Sequence, residues 1–111
     1  MIICPNESLK AKNFDALTET LLELPREVGA FAAGLEWAFC GWAFALEYRC
    51  RELAVIVVLP DGFHSFSREE RMALLFHEVA HAWLWESGLG GHEDEADALA
   101  ESWIGLANEK R

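Results

Sequence analysis

A chain of 111 residues that is 52% hydrophobic can bury a modest core and is too apolar to be disordered, and its length fits one domain spanning residues 1–111. Nineteen acidic against nine basic residues give a formal charge of −10, which argues against holding nucleic-acid phosphates by general electrostatics, so no nucleic-acid partner is expected. Three cysteines, Cys4, Cys40 and Cys50, are odd in number and have no C-x-x-C spacing; neither a disulfide framework nor a zinc ribbon is indicated, and a reducing, cytoplasmic setting is the expectation.

From the N-terminus, Met1-Ile-Ile-Cys-Pro lacks the basic start and apolar run of a signal peptide. A helix begins at Asn13 or Asp15 and continues through Leu24. Phe14, Leu17, Leu21, Leu22 and Leu24 mark it at mostly three-to-four spacing, and Pro25 ends it or opens the next turn. Residues 28–35, small and apolar between glycines, fit a short helix or a loop. Residues 28–46 approach the length of a membrane span, but Glu36 would sit near mid-bilayer at a cost of about 2.5–3.5 kcal/mol. Gly34 and Gly41 interrupt the stretch as well, so it reads as packed core and no membrane partner is expected.

In residues 42–49 the apolar side chains of Trp42, Phe44, Leu46 and Tyr48 alternate, and residues 53–59 are a β-branched run closed by Pro60-Asp61-Gly62. These predict two strands joined near Cys50-Arg51, most simply as an antiparallel pair. Ser67 with Glu70 three residues on is a capping-box pattern, and Glu69 and Glu70 place negative charge in the first turn of the helix it starts. Residues 72–85 then run without Gly or Pro and are apolar nearly all round, as suits a helix covered on several sides; Ser87-Gly88 is a natural stop. A last helix spans about 93–108, with Ala96, Leu99, Ala100, Trp103, Ile104 and Ala107 facing inward. The pattern is that of an α+β domain with a small antiparallel or mixed sheet.

Within the covered helix lies His77-Glu-Val-Ala-His81. Residues four apart on a helix share a face, so the two imidazoles can hold one metal ion, while Glu78, one step round, can reach a water on the metal rather than the metal itself. Zinc takes imidazole nitrogen and carboxylate oxygen in a tetrahedron, and a catalytic site keeps one position for water, which leaves one protein ligand to find. The final helix offers it. Glu93 follows His81 by twelve positions, beyond a glycine-rich turn long enough to fold the new helix back over the old one. Asp97, four further on, shares its face, so one carboxylate can bind the metal while the other accepts the free N–H of a ligand histidine. His92 could instead bind from the turn and complete a three-histidine site; Asp94 is a weaker competitor, and Glu95 fits a solvated first turn.

His77-Glu-Val-Ala-His81-Ala-Trp-Leu, a glycine-rich turn, and Glu93-Asp-Glu-Ala-Asp97-Ala-Leu-Ala100 together resemble the gluzincin zinc metallopeptidases, most of all the small ImmA/IrrE-type proteins of phages and mobile elements. The resemblance covers about residues 53–107. It implies a minimal zincin-like domain with an H-E-x-x-H active-site helix and a C-terminal helix carrying the third ligand. In it His77, His81 and Glu93 bind Zn2+, Glu78 is the general base and Asp97 supports a ligand histidine. The expected reaction is peptide-bond hydrolysis, in which Glu78 takes a proton from the zinc-activated water and returns it to the leaving amine, and the expected partner is a peptide or protein substrate. His64, Tyr48, Arg49 and His92 are candidate donors to the oxyanion, and residues 53–59 or 42–49 could supply an edge that pairs with an extended peptide.

Trp37, Trp42, Trp83, Trp85 and Trp103 read mostly as core; Trp85, on the ligand side of its helix, is the one that could wall a pocket. Two other readings keep the same motif. One is a SprT-like protease with His92 as third ligand. The other is a non-catalytic zinc-fold binding module of the phage or mobile-element kind. An intact Glu78 favours a peptidase over that module, since a purely structural zinc site needs no base.

Overall fold

A computed structural model of the chain describes residues 2–3, 7–40, 48–49, 55–88 and 93–109. Four α-helices dominate: α1 (Lys10–Leu21), α2 (Arg26–Ala33), α3 (Arg68–Glu86) and α4 (Glu93–Glu109). Beside them lies a short mixed sheet of β1 (Ile2–Ile3), β2 (Glu36–Cys40), β3 (Tyr48–Arg49) and β4 (Val55–Pro60), in the spatial order β1-β2-β4-β3.

The expected antiparallel pairing is present over two residue pairs, Tyr48↔Ile56 and Arg49↔Val55; most of residues 42–49 lies outside the described residues. The principal partner of β4 is a different strand. β2 runs parallel to it from Glu36↔Ile56 to Cys40↔Pro60, and β1 adds a short parallel edge on the far side of β2. Of residues 28–35, open between helix and loop in the sequence, 28–33 belong to α2, with Pro25 and Gly34 at its two ends, and β2 starts at Glu36. In β2 the side chains of Trp37 and Phe39 are buried, and they stand in register with Val57 and Leu59, also buried. One face of the parallel pair is thus wholly apolar and forms the floor of the core.

α1 departs from its apolar pattern. It starts at Lys10, earlier than expected, and buries Asn13, Ala16, Leu17 and Thr20, while Phe14 is 49% exposed and Leu22, just past its end, 78% exposed. The three-to-four apolar spacing that marks the helix is thus only in part its buried face. α1 turns a polar residue to the interior because Asn13 has partners there. Its Nδ2 donates to the Asp61 carbonyl (3.0 Å) and its Oδ1 accepts from the backbone N–H of His64 (3.1 Å), so it clamps the 3-10 turn Asp61–Ser65 that leads into α3.

α3 begins as its sequence predicts. Ser67 accepts from the Glu70 N–H (3.1 Å), and Glu70 accepts from the Ser67 N–H (2.9 Å), which occupies two donors that the first turn would otherwise leave unpaired. Met72, Leu75, Phe76, Val79, Ala80, Ala82 and Leu84 are buried round most of its circumference. α4 returns along α3 in the most extensive contact between any two elements, on Ala96, Ala100, Trp103 and Ala107, whose spacing of four, three and four puts three small residues and one large ring on a single stripe. Far from the turn that joins the two helices, Arg68 pairs with Glu23 and donates to Asn108 Oδ1 (3.2 Å), tying the end of α4 to the α1–α2 loop. Trp37 and Trp103 are buried, and Trp83 packs between Phe31 and Trp103 with ring centroids 5.2 and 6.4 Å away. No helix among the described residues is long and apolar enough to cross a membrane.

Candidate metal centre

Among the described residues the site is assembled by α3 and α4. His77 and His81 project from one face of α3, with rings 4.6 Å apart and nearly perpendicular. Gly88 takes a left-handed φ of +77°, a conformation that glycine adopts without strain, so α3 can end there and the chain can turn back. α4 opens on Glu93, Asp94 and Glu95, whose charges suit the positive end of its dipole.

Glu93 is placed to serve both imidazoles. Its Oε2 is 3.2 Å from His77 Nε2 and its Oε1 3.1 Å from His81 Nε2, while the two Nε2 atoms are 3.1 Å from each other. Asp97, one turn further along α4, lies 2.8 Å from His77 Nδ1. A carboxylate at that position can accept from Nδ1–H of His77, and the Nε2 atoms of His77 and His81, facing each other and Glu93, form a cluster that a shared proton or a cation would hold together.

The donor set fits zinc. Two imidazole nitrogens and a carboxylate oxygen lie within 4.8 Å of one another. Their contacts of 3.1–3.2 Å compare with about 3.3 Å between neighbouring ligands of a tetrahedral ion with bonds of about 2.0–2.1 Å. His81 is buried and His77 half-buried, and Glu93 and Asp97 close the cluster from the solvent side, with side chains 72% and 61% exposed.

Glu78 stands apart from this donor set. Its side chain is buried, and its Oε1 is 3.9 Å from His77 Nε2, near the cluster but outside hydrogen-bond reach. Burial pushes its pKa up to about 7; the nearby His77 opposes that rise and the Glu93 carboxylate adds to it. A carboxyl poised near neutrality can take up or give away a proton at little cost, which is what a general base that later acts as an acid requires.

Among the other residues singled out by the sequence, His64 is engaged elsewhere. Its Nδ1 sits 3.1 Å from Asn13 Oδ1 and 3.2 Å from the Asp61 carbonyl, and its own carbonyl accepts from Arg71 Nη2 (3.2 Å). It is therefore held beside Arg71 in the first turn of α3, about 9 Å of helix rise before His77, and is not brought to the cluster. Asp94 and Glu95 are solvated, and Trp85, 43% exposed, lies one turn beyond His81. His92 and the side chains of Tyr48 and Arg49 lie outside the described residues. Asn13, noted in the sequence only as a candidate helix start, has a structural role that no spacing reveals. An asparagine in a helix with apolar neighbours carries no spacing signal, yet it orients the turn from which α3 departs. Comparison with known proteins returns no match, whether to a family model, to a curated protein or to a solved structure.

Proposed function

We propose that the chain is a zinc metallopeptidase in which His77, His81 and Glu93 bind the ion and Glu78 moves the proton, as the resemblance to the ImmA/IrrE-type proteins implies. The observation that carries this reading is the convergence of three ligand atoms from two helices, with a buried carboxyl of raised pKa beside them and outside the donor set. Zinc, when bound, supplies a Lewis acid that makes water nucleophilic near neutral pH.

The chain's own residues then have separate tasks. Asp97, 2.8 Å from His77 Nδ1, is placed to accept its N–H and so to hold the ring with Nε2 aimed at the cluster. Glu93 draws α4 against the histidine face of α3. Glu78 accepts a proton from water as it attacks the peptide carbonyl, and delivers that proton to the nitrogen of the departing amine. Its buried side chain is shielded from bulk water, which helps the proton it takes reach the leaving group. The partner implied is a peptide or protein substrate.

The experiment is a comparison of wild type and Glu78→Gln on a broad peptide library, with zinc content measured in both. Retained zinc with hydrolysis lower by about 10²–10⁴ or more is expected. Equal hydrolysis would exclude Glu78 as the base, and zinc-loaded wild type that cleaves nothing would favour a binding module on the same metal fold.

A further inference from the structure

A second site, independent of the metal reading, opens between α1 and α2. It is a groove of about 600 Å³, within the range of about 300–1,000 Å³ that holds small organic ligands. Its floor is made of core residues, Leu17, Leu35 and Trp37, and its walls are Leu21 and the half-exposed ring of Phe14. Apolar surface left open to water to this depth favours any hydrocarbon that can cover it.

The polar atoms on the lining narrow the choice. Thr18 Oγ1 already donates to the Phe14 carbonyl (2.9 Å) and Trp37 Nε1 to the Ala32 carbonyl (3.0 Å), so neither side-chain donor is available to an occupant. Arg26 is different. It is the one charged residue among the described residues of the lining, and it has no hydrogen bond or ion pair among the described residues, in a chain whose formal charge is −10. By contrast Arg68 and Arg71 are both paired with glutamates. A guanidinium at the mouth of an otherwise apolar groove is matched by a carboxylate, which it can bind through two parallel hydrogen bonds.

We infer that the α1–α2 groove binds a single-chain amphiphile with an anionic head, its carboxylate on Arg26 and its hydrocarbon tail along Phe14, Leu17, Leu21 and Trp37. The test uses the full chain with chelator present, titrated calorimetrically with dodecanoate and with dodecanol, each below the concentration at which it self-associates. Saturable one-to-one binding of dodecanoate is expected. Arg26→Gln should weaken it about tenfold or more while leaving dodecanol unchanged. Ala30→Trp, at an exposed lining position of α2, should remove binding of both with the helical circular dichroism intact. Unsaturable uptake, an Arg26→Gln variant that binds dodecanoate as tightly as wild type, or a folded Ala30→Trp variant that still binds would each overturn the assignment. So would an acidic amphipathic peptide that binds saturably where dodecanoate does not, and that result would make the groove a protein-docking surface.

Discussion

Burial raises the pKa of Glu78 from 4.5 to about 7, so between those values the folded, metal-free chain holds more protons than the unfolded one. By linkage its stability falls as pH rises through that window and levels off above it. A difference of that size corresponds to about 3 kcal/mol. Metal-free Glu78→Gln should therefore melt with wild type near about pH 4, where both side chains are neutral, and be more stable than wild type by roughly that margin above neutrality. Melting curves that coincide at every pH would show the carboxylate to be solvated. Asp97 acts through the imidazole it holds, and Asp97→Ala should lower zinc affinity by about 10–100-fold in a chelator competition while leaving the fold in place; unchanged affinity would reduce the 2.8 Å contact to a surface pairing. These residues were open to a reading from sequence because a helix turns an interval of four into a shared face, which groups His77 with His81 and Glu93 with Asp97. Asn13 offers no such interval, since its partners Asp61 and His64 lie 48 and 51 residues away.

Among the elements, α3 and α4 were legible because each carries its own boundaries: a capping box and a Ser-Gly stop for one, an acidic first turn for the other. β2 was not. Its alternation of Trp37 and Phe39 is embedded in an apolar stretch between two glycines, and what makes it a strand is the parallel register with β4, a partner some twenty residues on that local pattern cannot name. α1 shows the opposite error. Its apolar residues outnumber the places the core has for them, so Phe14 and Leu22 are left outside while Asn13 goes in. The stabilities should follow burial and bonding rather than hydrophobicity. Asn13→Ala, which removes the side-chain partner of the His64 N–H and of the Asp61 carbonyl, is expected to cost about 1–3 kcal/mol in denaturant unfolding, and Leu22→Ala no more than about 0.5 kcal/mol. A reversed order would refute the clamp.

For the molecule as a whole, the spatial order β1-β2-β4-β3 could not be read from sequence, because it depends on α1 and α2 carrying the chain from one parallel strand to its neighbour. The relation of α3 to α4 could, since the short connection between them permits little but an antiparallel return. Under the proposed zinc site that return is bridged by the ion, so metal and stability are linked by mass action. Zinc at about one hundred times its dissociation constant adds about 2.7 kcal/mol, a rise in melting temperature of roughly 10–15 °C for a chain of this size. Calorimetry with zinc and with chelator checks this; a melting point indifferent to both would argue that no ion joins the helices.

The pairing of Arg68 with Glu23 and Asn108 gives that linkage a direction. α4 is fastened near its first residue by the histidine cluster and near its last by an arginine that needs no metal. On the proposed zinc site, chelation would release only the first of these, so the helix should swing as a lever whose fulcrum is Arg68, parting from α3 at Glu93 and staying seated at Ala107. Amide hydrogen exchange would record the motion as a gradient along α4. Protection should be lost around Ala96 on metal removal and kept around Trp103 and Ala107. In the zinc-free protein, the face proposed to bind the ion would then also be the entrance through which it arrives.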